Sequence, residues 1–186
     1  MRLSGDQFIQ MREEGKLAFG QLPALQVDET TFLYQSAAIL RFVGKFAGLY
    51  PTDDDILAAK IDALIDQEKD MFTGVSASRY RDRFGFDMLS EELVAAIRKK
   101  LNDEILPRHL AYFESFLAQS PSGWLMGGQE PTIADFVIAI RVKWLVSGAN
   151  DGITVHLLDP FPGMRQLIHQ FDNMPQVLAY YQAHHH

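Results

Sequence analysis

A small α+β piece over residues 1–50 followed by an all-helical domain is the fold the sequence predicts. Three observations predict it. Strand-like runs are confined to residues 25–27 and 31–34, flanking the turn-forming Asp28-Glu29-Thr30. After Pro51 the apolar residues recur at helical spacing, with no convincing strand. The 186 residues are 47% hydrophobic and 22% charged, an ordinary globular balance able to fill a core.

The elements follow in order. Residues 5–16 carry Phe8, Ile9 and Met11 among polar residues, which predicts a short, weakly amphipathic helix. The hairpin comes next. From Gln35 the period changes: Ile39, Phe42, Val43 and Phe46 share one helical face, and Gly48 stops the helix. Asp53-Asp54-Asp55 is an acidic helix start that complements the macrodipole, and the helix continues through Ile56, Ala59 and Ala63 to about Phe72. Residues 73–88 mix arginines with aromatics and read as helix extension plus loop. Ser90-Glu91-Glu92 begins a long helix through Val94, Ile97, Leu101 and Ile105; Pro107 kinks it without ending it, because Leu110, Phe113 and Leu117 prolong the stripe. Thr132-Ile-Ala-Asp135 has capping-box spacing, with Asp in place of Glu or Gln, ahead of an apolar helix to about Val146. Pro160 and Pro162 precede a helix over 164–171, and Asn173-Met174-Pro175 opens a last one to Tyr181.

Charge and composition exclude several functions. With 17 basic and 24 acidic side chains the net charge is −7, which argues against nucleic acid or an anionic membrane as the main partner. There is no cysteine, so disulfides, thiolate metal sites and a cysteine nucleophile are absent from this chain. His109, His156 and His169 are too scattered for a metal constellation and show no acidic pattern beside them, so no metal is expected. No apolar stretch spans a bilayer and no signal-peptide h-region is visible, so the expectation is a cytoplasmic protein. Residues 184–186, all histidine, read as a tag remnant.

Phe19-Gly-Gln-Leu-Pro-Ala-Leu25, then Leu33-Tyr-Gln-Ser-Ala-Ala-Ile-Leu-Arg41, then Gly48-Leu-Tyr50, resemble the cytosolic glutathione S-transferases of the Pi, Alpha and Sigma classes. Thr132-Ile-Ala-Asp-Phe136 and Asp159-Pro-Phe-Pro162 resemble the helical half of the same family. The resemblance implies a partial thioredoxin-like, glutathione-binding domain at 1–50 and an all-α transferase domain at 51–183. It also implies glutathione as co-substrate, hydrophobic electrophiles as the second substrate, and a homodimer.

The resemblance further implies residue roles. The bond before Pro23 is expected to be cis, offering the backbone of Leu22 to the cysteinyl moiety as a short added strand. From the residues alone, a plain turn proline stays open. Gln35 and Ser36, with Gln21 nearby, hold the γ-glutamyl carboxylate; Ser36 also reads as a simple helix N-cap. Asp70 corresponds to the aspartate that reaches across a dimer to the glutathione amino group, although an acidic helix face is also an ordinary solvated surface. Tyr80 corresponds to a contributor to the electrophile pocket. Lys16 either contacts the glycyl carboxylate or is a surface lysine. Asp135 is structural.

The family's first βαβ unit, with the Tyr or Ser whose hydroxyl holds the glutathione thiolate, has no counterpart, and no catalytic residue is identifiable. Tyr34 is expected to point its side chain elsewhere. Two expectations stand: a glutathione transferase whose thiol-activating segment is missing from this sequence, or a shortened, non-catalytic glutathione-binding or scaffold module.

Overall fold

The computed structural model describes residues 4–184. Residues 1–3 of the predicted first domain, and His185 and His186 of the predicted tag, lie outside the described residues. The chain divides into two compact units, Met1–Thr52 and Asp53–His186.

The first unit opens with α1, Gly5–Glu13. Ser4 caps it: its Oγ accepts from the Gln7 N–H at 3.2 Å while Gln7 Oε1 accepts from the Ser4 N–H at 2.8 Å. The helix stops short of Lys16 because Gly15 turns left-handed at φ 71°. A two-stranded antiparallel hairpin follows, β1 (Ala24–Gln26) and β2 (Phe32–Tyr34), with Ala24 opposite Tyr34 and Gln26 opposite Phe32. Strand β1 lies one residue earlier than predicted, and β2 begins one residue later and ends where predicted. The late start of β2 follows from Asp28, whose Oδ1 accepts from the N–H groups of Thr30 and Thr31 at 2.9 and 2.8 Å and draws Thr31 into the turn. The Phe19 and Phe32 rings pack on Tyr34.

The second helix, α2, is Ser36–Phe46. Its N-cap is Gln35 rather than Ser36, which corrects the sequence reading: the chain turns at Gln35, at φ 71°, and Ser36 is already helical. Gly48, at φ 70°, closes the other end. Leu49 N–H bonds Gly44 C=O at 2.9 Å and Gly48 N–H reaches Lys45 C=O, a Schellman arrangement.

The second unit is helical throughout: α3 (Asp55–Arg79), α4 (Glu91–Lys100), α5 (Leu106–Leu117), α6 (Ile133–Leu145), α7 (Pro162–Asp172) and α8 (Pro175–His184). Its core joins Ile61, Ile65 and Phe72 of α3 to Leu110 and Phe113 of α5, Ile138 and Leu145 of α6, and Met164 and Leu167 of α7. Helix α3 runs beyond Phe72 because Val75 and Ser78 are also buried, and Arg79 donates to the Ala149 carbonyl at 3.0 Å.

Pro107 is accommodated by a change of helix type. Between α4 and α5, Leu101–Ile105 forms a π turn in which Leu106 N–H bonds the Leu101 carbonyl, five residues back. A proline at 107 has no N–H for the residue-103 carbonyl and its ring crowds that carbonyl, and the wider turn relieves both.

Two carboxylates anchor the starts of α6 and α7. Asp135, fully buried, accepts from the Thr132 N–H at 2.7 Å, as expected, and also from the Leu125 N–H at 2.7 Å. Burial raises its carboxyl above the usual range even though these donors pull the other way. Glu114 of α5 accepts from Gly163 and Met164 N–H at 2.8 and 2.9 Å, capping α7. Gly163 admits no larger residue easily, since a Cβ there would meet Glu114 and Leu117 at 3.0 Å.

Candidate functional site

The hairpin register gathers the first group of candidates. With Ala24 opposite Tyr34, Pro23 and Gln35 fall at the same end of the ladder. The Leu22–Pro23 bond is cis. Leu22 is 46% exposed, and among the described residues neither of its backbone groups has a hydrogen-bond partner. Gln21, Gln35 and Ser36 are exposed beside it.

Helix α2 begins here uncapped. Gln35 makes no side-chain cap bond, and no acidic residue occupies the first turn. The N–H groups of Ser36, Ala37 and Ala38 precede the first intrahelical bond, from Ile39 N–H to Gln35 C=O at 3.0 Å, and carry no partner among the described residues. A left-handed non-glycine residue costs about 1–3 kcal/mol, and at Gln35 it swings the chain so that this end opens to solvent. Such an end attracts a carboxylate through its free donors and the helix dipole.

Two further groups near the hairpin are already engaged. Tyr34 Oη donates to the Lys16 carbonyl at 2.9 Å, so this hydroxyl serves the fold, as expected. Lys16 Nζ pairs with Glu14 at 2.7 Å, and with Gln10 it holds the Glu14 carboxyl below its ordinary range. This site can therefore grip an extended peptide backbone and a carboxylate, but among the described residues it presents no general base.

In the second unit, Asp70 and Tyr80 both belong to the α3 stretch. Ten residues apart at 1.5 Å rise, they are about 15 Å apart along the axis and do not form one cluster. Tyr80 follows the last helical residue, is 48% exposed and lies 5.9 Å from the Arg79 guanidinium. The neighbouring recess, about 490 Å³, is lined by Arg79, Arg81, Asp82, Asp87 and Ser90 and is polar. A second recess of about 470 Å³, between α3 and α5, is mainly apolar, and Ala63, Leu64, Phe113, Phe116, Lys60 and Gln67 are among its lining residues.

Asp70 is exposed on α3. One turn earlier, Gln67 Nε2 lies 2.6 Å from His109 Nδ1 of α5. Burial and the Arg108 guanidinium hold the His109 ring below its ordinary range, with Asp70 pulling the other way. Glu68 was missed by the sequence reading. It is buried at 5% exposure and pairs with Arg141 Nε at 2.8 Å, whose guanidinium lies 4.0 Å from the Phe72 ring centre. Nothing in local sequence flags a contact 73 residues apart. Among the described residues no group of His, Cys, Asp and Glu suits a metal ion, and no helix is long and apolar enough to cross a membrane.

The hairpin with α2, joined to the helical second unit, defines the glutathione-transferase class of fold, and the comparisons agree. Residues 86–184 match the family model described as glutathione S-transferase, C-terminal domain. Glutathione S-transferase P of Bos taurus is 29% identical over 168 residues, covering 87% of this chain and 69% of the relative. Glutathione S-transferase 3 of Caenorhabditis elegans is 31% identical over 150 residues, covering 78% and 67%. Among solved structures, monomeric Na-GST-3, a glutathione S-transferase from the hookworm Necator americanus, superposes with a TM-score of 0.74 at 26% identity, covering 99% of this chain and 83% of that one. The chain belongs to the glutathione S-transferase family.

Proposed function

We propose that this chain binds glutathione at the junction of Leu22, Gln35 and Ser36 and belongs to an enzyme that transfers it to electrophilic small molecules. The observation that carries the reading is the pairing of Leu22's unengaged backbone groups with the open N-terminus of α2 at one end of the hairpin. The peptide backbone of the ligand pairs with Leu22, and its γ-glutamyl carboxylate takes the α2 donors, with Gln21 beside them. Asp70 of a second subunit receives the ammonium group of the ligand, Lys16 lies toward the glycyl end, and Tyr80 borders the electrophile.

In the reaction the glutathione thiolate attacks an electrophilic carbon, a C–S bond forms, and the leaving group departs with the bonding pair, as halide does from an aryl halide. The thiol proton passes to a base. The protein acts in the cytoplasm, in detoxification, as a homodimer; the apolar recess between α3 and α5 offers a surface for the second subunit to cover.

One observation favours the alternative, a non-catalytic glutathione-binding module: the hydroxyl of Tyr34, the tyrosine of the hairpin, is committed to the Lys16 carbonyl. Calorimetry with glutathione tests the shared part of both readings. Combined Gln35→Ala and Ser36→Ala substitutions keep the backbone donors but remove the side-chain amide and hydroxyl beside them, and are expected to weaken binding about tenfold, as losing hydrogen bonds to a charged group does; unchanged affinity would remove both side chains from the site. Conjugation of an aryl halide then separates transferase from module.

A further inference from the structure

Helices α3 and α6 meet through arginines interleaved with aromatic rings. On α3, Glu68, Phe72 and Arg79 recur at helical spacing and share one face. On α6, Ile140 and Trp144 stand one turn apart, with Arg141 beside them. The Trp144 ring takes a guanidinium from each helix: the Arg79 carbon lies 5.5 Å from the ring centre and the Arg141 carbon 5.7 Å. The Phe72 ring, 6.1 Å from Trp144, backs the Arg141 guanidinium at 4.0 Å.

Arg141 is held in one orientation. The buried Glu68 carboxylate accepts from its Nε at 2.8 Å, and Phe72 supports one face of the guanidinium. The side chain is still 40% exposed, and among the described residues its Nη1 and Nη2 have no hydrogen-bond partner. Arg79 is exposed and gives only Nη1, to the Ala149 carbonyl at 3.0 Å. Lys143, the other cation of α6, is paired with Asp172.

An ion pair between helices adds little stability over apolar residues of the same volume. What this one adds is direction. Glu68 cancels one of the two guanidinium charges, so the group keeps one net positive charge and an open edge of two N–H donors. That edge matches the planar fork of a carboxylate. Exposed Ile140 and half-buried Trp144 set apolar surface beside it, and an indole favours an aromatic neighbour.

We propose that Arg141, assisted by Arg79, binds the carboxylate of an aromatic organic anion whose ring lies along Ile140 and Trp144. The site belongs wholly to the second unit and does not depend on the glutathione reading.

The test is an NMR titration of the full chain with 2-naphthoate in the absence of glutathione, so that failure here leaves the glutathione site untouched. The chain has two tryptophans, and Trp124, buried, serves as the internal control for the Trp144 indole N–H. The Trp144 signal is expected to move with a dissociation constant on the order of 1 mM, as suits a small ligand on an open surface. Uncharged 2-naphthalenemethanol should bind at least tenfold more weakly, and inorganic phosphate should not reproduce the shift. Arg141→Lys keeps the charge facing Glu68 but loses the fork, and is expected to weaken naphthoate about tenfold. Arg79→Gln alters an exposed side chain and should weaken it about threefold. An unmoved Trp144 signal, equal affinity for the alcohol, or the same shift with phosphate overturns the proposal. So does unchanged naphthoate affinity in Arg141→Lys or, if that variant does not fold, in Arg79→Gln.

Discussion

Arg141 holds the one side of Glu68 that the core leaves polar, and losing it strands a buried carboxylate. Arg141→Ala is expected to cost about 3 kcal/mol, the lower end of what breaking a buried ion pair costs, because the arginine is 40% exposed. Lys69→Ala removes a pair whose side chains are 54% and 62% exposed and should change stability by less than about 0.5 kcal/mol. Urea unfolding of the two variants compares them directly, and equal costs would show that Glu68 finds another partner. Asp135→Ala belongs to the same scale. It leaves the Leu125 and Thr132 N–H groups without their acceptor, an expected loss of about 3 kcal/mol at one to three per stranded group. His109 adds a pH dependence of known sign. Its folded-state value lies below the ordinary 6.5, so the unfolded chain binds the extra proton first. The stability His109 contributes is present above pH 6.5 and is lost as pH falls toward its folded value; His109→Gln should remove that share of the acid-side loss in thermal melts.

Helix α7 depends on a carboxylate from another element. Glu114 satisfies two of its first donors across 49 and 50 residues of sequence, so Glu114→Ala is expected to destabilise the protein by about 1–2 kcal/mol, as the loss of a strong cap does. Hydrogen exchange at Gly163 and Met164 should accelerate in that variant, and unchanged protection there would count against the capping role. The contrast with α6 explains what the sequence made legible. Thr132 and Asp135 stand three apart, so their cap could be read from spacing, whereas Glu114 and Gly163 could not. Helix periodicity and Pro107 likewise announced a continuous helix with an irregularity, but the π turn that absorbs it depends on which carbonyl Leu106 reaches. The N-cap of α2 was misassigned because serine is the better capping residue by chemistry, while the left-handed turn at Gln35 is a backbone property that side-chain type does not reveal. Leu22, Gln35 and Ser36 were singled out through their motif, whereas the contact between Gln67 and His109 was not legible, because the two lie 42 residues apart on different helices.

At the scale of the whole molecule the question is whether one glutathione site draws on two chains. The hairpin candidates, Leu22, Gln35 and Ser36, lie in the first unit, and Asp70 lies in the second. If Asp70 serves the other subunit of a homodimer, two defective chains can repair one another. A subunit with Asp70→Asn keeps an intact clamp, and a subunit with Gln35→Ala and Ser36→Ala keeps an intact Asp70. Equal amounts exchanged at random give half mixed dimers, each with one complete site, so about a quarter of all sites should bind glutathione with parental affinity. If Asp70 acts within its own chain, the mixture binds no better than the average of its defective parents. The dimer itself has a separate test in the recess between α3 and α5. Ala63 is exposed in that recess, and Ala63→Arg places a bulky charge on a surface the second subunit is proposed to cover. Light scattering should then report the mass of one chain instead of two, and the mixing experiment should lose its recovered quarter when Ala63→Arg is added to both defective chains. A dimer that survives Ala63→Arg with the recovery intact would keep Asp70 in trans but move the interface elsewhere; recovery without any dimer would eliminate the shared site.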